Sequence, residues 1–400
     1  MTRTLVVVGH GMVGHRLVDR LRTMDGEGTW DIVVLAEERH PAYDRVALSS
    51  YLDGKSKDDL TLAGSDLLDG PGADLRLACP AVAVDRTART VRTAGGNEIA
   101  YDALVLATGS RPFVPPVPGH GLTGCFVYRT FDDLDALRTA ARAGRPGVVI
   151  GGGLLGLEAA NALRLLGMRP HIVETAPHLM PAQLDAGAAH VLHQQVTGLG
   201  LQLHCATATT SIDAGSDGTV RAVTLSDGTV LEADLVVFAA GVRPRDDLAA
   251  TMGLDRGERG GIVVDDHCRT ADEHIWAIGE CAAVEGRCHG LVAPGYRMAD
   301  NVARQLMGHA PEPFDGSDAS TTLKLFGVNV ATFGFTRPEE GQALEVVFAE
   351  GNTHYAKVFL RPDTGALLGG ILAGGTGSAL TLGSFVGRRP PPDLEQLLLL

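Results

Sequence analysis

The chain has 400 residues, more than one hydrophobic core usually organises, so two or three domains are expected, and its 45% apolar content can fill them. Thirty-four Lys and Arg against 48 Asp and Glu leave a net charge of −14, which argues against a nucleic-acid partner. The opening "MTRTLVVVGHG" enters a core strand without a signal-peptide pattern, and no apolar run of about 20 residues follows; a soluble, cytoplasmic protein with no membrane contact is expected.

Residues 5–21, "LVVVGHGMVGHRLVDRL", carry an apolar strand into a glycine turn, and apolar residues at Met12, Val13, Leu17, Val18 and Leu21 then follow a helical period. "DIVVLAEE" reads as a buried strand ending at Glu37. A lone G-x-G-x-x-G is weak, but strand, glycine turn, helix, strand and terminal acid together make a dinucleotide-binding unit. Gly9 permits the tight turn, Gly11 lets backbone N–H groups approach a pyrophosphate, and Gly14 lets helix pack on strand. Glu37 can accept both ribose hydroxyls, and the helix N-terminus favours the phosphates.

"LVLATGSRP" (104–112) is an apolar strand ending at Gly109, where the chain turns out of a sheet, and Pro112 stops the strand. Residues 147–174, "GVVIGGGLLGLEAANALRLLGMRPHIVE", then repeat the whole nucleotide unit, with Gly151, Gly153 and Gly156 in the turn and Glu174 ending the second strand. "LVVFAAGVRP" (235–244) echoes the exit strand, with Gly241 and Pro244 in the same roles. Two dinucleotides explain the duplication better than two copies of one, because a flavin needs a hydride donor; the first set of glycines is assigned to FAD and the second to a nicotinamide dinucleotide. Glu174 followed by no Lys or Arg, with His178 the only nearby cation, selects NADH over NADPH. Six scattered cysteines form no C-x-x-C and no metal-ligand spacing, so ordinary reduced thiols and no metal are expected.

Taken in order, "GHGMVGHR", "AYDRVALSSYL", "ATGSRPFVPPVPG", "CFVYRTFDDL", "GGGLLGLEAANAL", "GVRPRDDLA", "RGGIVVDD", "WAIGECA" and "GLVAPGYRMA" resemble the two-dinucleotide-binding-domain flavoprotein reductases. Within them the chain is most similar to the FAD- and NADH-binding N-terminal region of the assimilatory nitrite reductase large subunit. The resemblance implies an α/β protein with two Rossmann-like domains and a small α+β C-terminal domain: FAD on residues 1–112 and 243–312, NADH on an inserted 113–242, and 313–400 as the third part. It also implies that Glu280, where most relatives have Asp, contacts the flavin ribityl chain or pyrophosphate; the plainer reading is a strand-end cap. The first helix after the FAD acid has no redox Cys, which excludes a dithiol mechanism, and Ser50 stands where ferredoxin- and rubredoxin-reductase relatives often have Lys.

The chemistry implied is hydride transfer from nicotinamide to flavin, with the protein supplying orientation and electrostatics. Glu158, in the first turn of the second motif's helix, is the candidate carboxylate near the nicotinamide amide, against the plainer reading of a first-turn acid favoured by the dipole. Arg45 and Lys55 are candidates for steadying negative charge on the reduced flavin, or solvated loop cations. Pro294 and Tyr296 should begin a helix whose N-terminus faces the flavin. The same motifs supply the remaining candidate contacts: Met12, Val13, Glu38, Ala107, Thr108, Arg129, Leu154, Leu155, Ala240 and Gly279.

The chain reaches "PDLEQLLLL" without the cysteine clusters that iron–sulfur and sirohaem domains require. The expectation is a reductase passing electrons to a separate iron–sulfur or haem protein, the alternative a self-contained oxidase or reductase of a small organic acceptor such as a nitro or nitroso compound.

Overall fold

The computed structural model describes residues 2–63, 72–314, 321–325, 328–339 and 341–399. Each glycine motif lies in a strand–turn–helix–strand unit. The first runs from strand β1 (Arg3–Val8) through the turn to helix α1 (Met12–Met24) and strand β2 (Trp30–Leu35). In the second, strand β3 (Pro146–Ile150) leads to helix α2 (Leu154–Leu165) and strand β4 (Arg169–Val173). Both strand pairs are parallel, with Val8 opposite Leu35 and Ile150 opposite Val173. The two turns are anchored alike: the Gly9 N–H donates to the Leu35 carbonyl and the Gly151 N–H to the Val173 carbonyl, each at 2.8 Å.

The chain divides into two compact units. One comprises Met1–Tyr51, Lys55–Arg111 and Val242–Ser317. Its central sheet is parallel and five-stranded, in the order Ile275–Ala277, Ala103–Leu106, β1, β2, Ala73–Arg76. Strands buried on both faces need continuous apolar runs, and Leu5, Val6, Val7, Leu104, Val105 and Leu106 supply them at 0% exposure. Leu17, Val18 and Leu21 of α1 join this core with Met298, Val302 and Leu306 of the helix Val292–Leu306. Arg16 on α1 forks onto both carboxylate oxygens of Asp300 (2.9 and 3.0 Å), tying those two helices together.

The other unit comprises Leu52–Gly54, Pro112–Gly241 and Asp318–Leu400. Its parallel sheet has the order Gln202–His204, β4, β3, Leu235–Phe238, Cys125–Val127. A second, antiparallel sheet, in the order Thr321–Leu325, Val328–Gly334, Leu367–Ala373, His354–Leu360, Leu344–Glu350, is built from the last part of the chain. Phe326 and Gly327, inside the strand-like "TTLKLFGVNVATFGF", lie outside the described residues. Residues 318–400 group with Pro112–Gly241 because side chains lock that sheet to the helix Ala186–Gly198. The Tyr355 hydroxyl donates to the helix-capping Asp185 (2.7 Å), and Lys357 bridges Asp185 (3.4 Å) and Glu345 (2.7 Å). Glycine at 187 makes the approach possible, since a Cβ there would lie 2.3 Å from the Tyr355 ring.

Candidate functional site

The glycines of each motif separate into two kinds. Gly9 has φ +111°, and a Cβ on it would fall 2.2 Å from the Ala107 carbonyl oxygen; a Cβ on Gly14 would fall 2.2 Å from the Gly9 oxygen. Gly151 (φ +117°) and Gly156 repeat this against the Ala239 and Gly151 oxygens, at 2.4 and 1.9 Å. These four are glycine because the protein's own backbone occupies the space. Gly11 and Gly153 are different: each is an N-cap with extended backbone (φ −83° and −77°), and a Cβ on either would meet nothing within 4 Å. Each therefore opens onto free space at a helix N-terminus. The first helical bond of α1 runs from the His15 N–H to the Gly11 carbonyl (2.9 Å), so the Met12, Val13 and Gly14 amides lie ahead of the ladder. In α2 the ladder begins at Leu157 (3.0 Å to Gly153), with Leu154, Leu155 and Gly156 ahead of it. Open space, forward amides and a helix dipole are what a pyrophosphate requires, so both cradles fit a dinucleotide.

Around the first cradle the expected residues fall into two groups. Glu38 accepts from the Tyr43 hydroxyl (2.8 Å) and the Arg45 guanidinium (2.5 Å), which also lies over the Tyr43 ring, 4.8 Å from its centroid. Arg45 is thus held among carboxylates, Glu280 also acting on it through space. Glu280 sits half-buried in the single turn Gly279–Cys281 and accepts from the Ser110 hydroxyl at 2.7 Å. Gly279 (φ +75°) and Gly295 are both packed on Val13, whose side chain would lie 3.3 and 2.5 Å from a Cβ at those positions. Glu37 is exposed and ion-paired with Arg245. The Thr108 hydroxyl donates to the Arg245 carbonyl (2.6 Å), and Gly109 (φ +66°) accepts from the Arg245 N–H (2.9 Å). Lys55 is an exposed loop cation whose N–H donates to Ser50 (3.0 Å).

Two local expectations shift. The helix expected to begin at Pro294 and Tyr296 begins at Val292, because proline is tolerated in a first turn where no N–H is needed; Tyr296 stands fifth, with Arg16 over its ring at 5.6 Å. Glu158 is the fifth residue of α2, in the second turn rather than the first, and half-buried, which weakens the helix-dipole explanation for it.

At the second cradle Glu174 is folded inward and 8% exposed. Its Oε2 accepts from the Gly152 N–H (2.7 Å), and its Oε1 from the Ala176 N–H (2.8 Å) and the Thr175 hydroxyl (3.1 Å). Ala240 and Gly241 (φ +103°) carry the chain past Gly151, the Ala240 Cα lying 3.0 Å from a Cβ built there. The Arg129 N–H donates to Asp133 (3.1 Å), within the capping of the helix Phe131–Ala140. His178 turns Nδ1 to the Leu179 carbonyl (3.0 Å).

The sequence reading did not single out His10, Ser110, Arg245 as a partner of Glu37, or Arg337, whose guanidinium donates to the Pro181 carbonyl. Burial pushes the Cys125, Cys205, Cys268, Cys281 and Cys288 thiols up, Cys268 to about 12, the opposite of what thiolate chemistry needs. Among the described residues no group of His, Cys, Asp or Glu could hold a metal, and no helix is long and apolar enough to cross a membrane.

The family model described as pyridine nucleotide-disulphide oxidoreductase matches residues 3–305. The chain is 48% identical over 398 residues to the nitrite reductase [NAD(P)H] large subunit of Klebsiella oxytoca, covering 99% of this chain but 41% of that protein. It thus spans less than half the length of that relative. It is 32% identical to the rubredoxin-NAD(+) reductase of Alcanivorax borkumensis, over 92% of this chain and 94% of that one. Among solved structures, a ferredoxin reductase from Rhodopseudomonas palustris superposes with a TM-score of 0.83 at 29% identity, covering 93% and 91% of the two chains. By its cradles and by these matches, the chain belongs to the pyridine nucleotide-disulphide oxidoreductase family.

Proposed function

We propose that this chain is an NADH-dependent flavoprotein reductase, with FAD on residues 1–112 and 243–312, NADH on 113–242, and electrons leaving to a separate iron–sulfur or haem protein. One observation carries the reading: in both motifs the middle glycine alone faces free space at a helix N-terminus, while its neighbours are filled by backbone. When bound, FAD supplies the two-electron acceptor for NADH.

The rest is the work of this chain's residues. Amides ahead of α1 and α2 receive the two pyrophosphates. Glu37 and Glu174 accept ribose hydroxyls. Ser110 fixes Glu280 for the ribityl hydroxyls, and Arg45 offsets the charge of Glu38 and Glu280 so that an anionic cofactor is not repelled. Glu158 orients the nicotinamide amide. Stopped-flow reduction by NADH, followed by reoxidation with ferredoxin, oxygen and nitro compounds in turn, tests the proposal. Fast reduction with reoxidation fastest by the iron–sulfur protein is the expected result. Rapid turnover with oxygen or a nitro compound and none with a protein acceptor would replace it by a self-contained oxidase or reductase.

A further inference from the structure

We infer that Arg245 is a positioning residue for the adenosine end of FAD, holding the Glu37 carboxylate in place for the ribose; the inference rests on Glu37 being the ribose acid. Arg245 is fixed at both backbone ends on the exit turn of the strand Ala103–Leu106: its N–H donates to Gly109 (2.9 Å) and its carbonyl accepts from the Thr108 hydroxyl (2.6 Å). From that anchored backbone the guanidinium reaches Glu37. The neighbouring acid, Asp247, pairs with Arg111 (2.7 Å) and acts on Arg245 through space. Glu37 lies beyond the end of β2 with its side chain 56% exposed, so nothing buried confines its rotamers.

An exposed glutamate loses rotamer freedom when it grips a ligand, and a partner that orders it beforehand lowers that cost. A carboxylate has about four acceptor positions, so Arg245 on Oε2 leaves Oε1 for ribose hydroxyls. Glu174 needs no such partner, because the Thr175 hydroxyl and Ala176 N–H of its own turn and the Gly152 N–H of the glycine motif already fix it.

The test follows release of flavin fluorescence from the holoenzyme on dilution, for Arg245→Ala, Arg245→Lys, Glu37→Ala and the double variant Glu37→Ala/Arg245→Ala. Arg245→Ala should weaken FAD retention about tenfold, the scale of one ordered charge-assisted contact. Arg245→Lys should recover part of it, and Arg245→Ala should add nothing further in the Glu37→Ala background. Deflavinated protein reloaded with FMN, which lacks the adenosine, should bind it equally with Arg or Ala at 245. Normal FAD retention by Arg245→Ala beside a weakened Glu37→Ala overturns the inference alone, as does an equal Arg245→Ala loss in the Glu37→Ala background or in FMN binding. Normal retention by Glu37→Ala overturns the ribose assignment itself.

Discussion

The two nucleotide units share a backbone and differ in where they keep their bulk. Aligned on the register that sets Val8 against Leu35 and Ile150 against Val173, the residue matching Glu174 is not Glu37 but Ala36, and Glu37 matches Thr175. Successive residues of an extended chain point to opposite faces, so this offset of one reverses the acid's direction. Ala36 is buried (3%) and Glu37 exposed, while Glu174 is buried and Thr175 exposed. The motif residue changes in step. Gly152 leaves room for Glu174, and a Cβ on it would come within 2.9 Å of that side chain; in the first unit the same position holds His10, buried at 7%. Histidine with alanine in one copy replaces glycine with glutamate in the other. An inward acid and a motif side chain exclude each other, which is why the first acid stands outside and takes an arginine partner.

The largest effect should come from breaking one cradle at a time. Gly11→Val puts a side chain into free space at an N-cap whose extended backbone accepts it, so the protein should fold yet emerge without FAD. Gly153→Val should remain yellow and no longer be reduced by NADH. Gly9→Ala and Gly156→Ala meet backbone oxygens at 2.2 and 1.9 Å and should fail to fold instead. Absorbance of the purified proteins and single-turnover reduction distinguish these outcomes. Exchanged phenotypes for Gly11→Val and Gly153→Val would reverse the cofactor assignment.

Next in size is an acid sensitivity of the first unit at His10. Burial, and the neighbouring His15, lower the His10 pKa to about 4, and both of its ring nitrogens are buried with no hydrogen-bond partner among the described residues. The unfolded chain titrates such a histidine near 6.5, so below that pH it binds a proton that the folded state refuses, and stability falls with pH. The contribution is complete above about pH 6.5 and is lost towards pH 4, by ~3 kcal/mol in all. Denaturant midpoints between pH 7 and 4.5 should therefore fall more steeply for the native protein than for His10→Asn. Parallel curves would mean that His10 is accommodated as a cation.

What could be read from the sequence was local. Apolar runs, glycine spacing and the doubled unit specify both parallel sheets, because β1–α1–β2 and β3–α2–β4 are each built from adjacent residues. What escaped depends on partners distant in the chain. Register between β1 and β2 is set by the whole sheet, so the one-residue offset between Glu37 and Glu174 is invisible in the motifs, which present two strand-end acids. Arg245 meets Glu37 only after the chain returns from the 112–241 segment. Ser110 reaches Glu280 across a similar gap, and Tyr355 reaches Asp185 because Gly187 lies under its ring. The start of the Val292–Leu306 helix was misplaced by two residues because Pro294 reads as a first position although any first-turn position accepts it.

The smallest of these effects sharpens the comparison at its second member. Three donors hold Glu174 and leave one acceptor position on its carboxylate, so a ribose placed there would donate its 2′-hydroxyl and a 2′-phosphate would be repelled. NADH should be preferred over NADPH by roughly 10- to 100-fold in kcat/KM, about 1.4 to 2.8 kcal/mol. Glu174→Ala should narrow the gap mainly by weakening NADH, and Gly152→Ala should do part of the same, since its Cβ must displace the acid. Steady-state kinetics with both donors measures this. Arg245 is committed to Glu37. Arg337 reaches the loop after Glu174, donating to Pro181. If NADPH serves as well as NADH, the selectivity argument from Glu174 fails. Arg337→Ala then decides the reason: restored NADH preference would assign the 2′-phosphate to Arg337, and an unchanged ratio would mean that the buried carboxylate turns away from the ribose when the nucleotide binds.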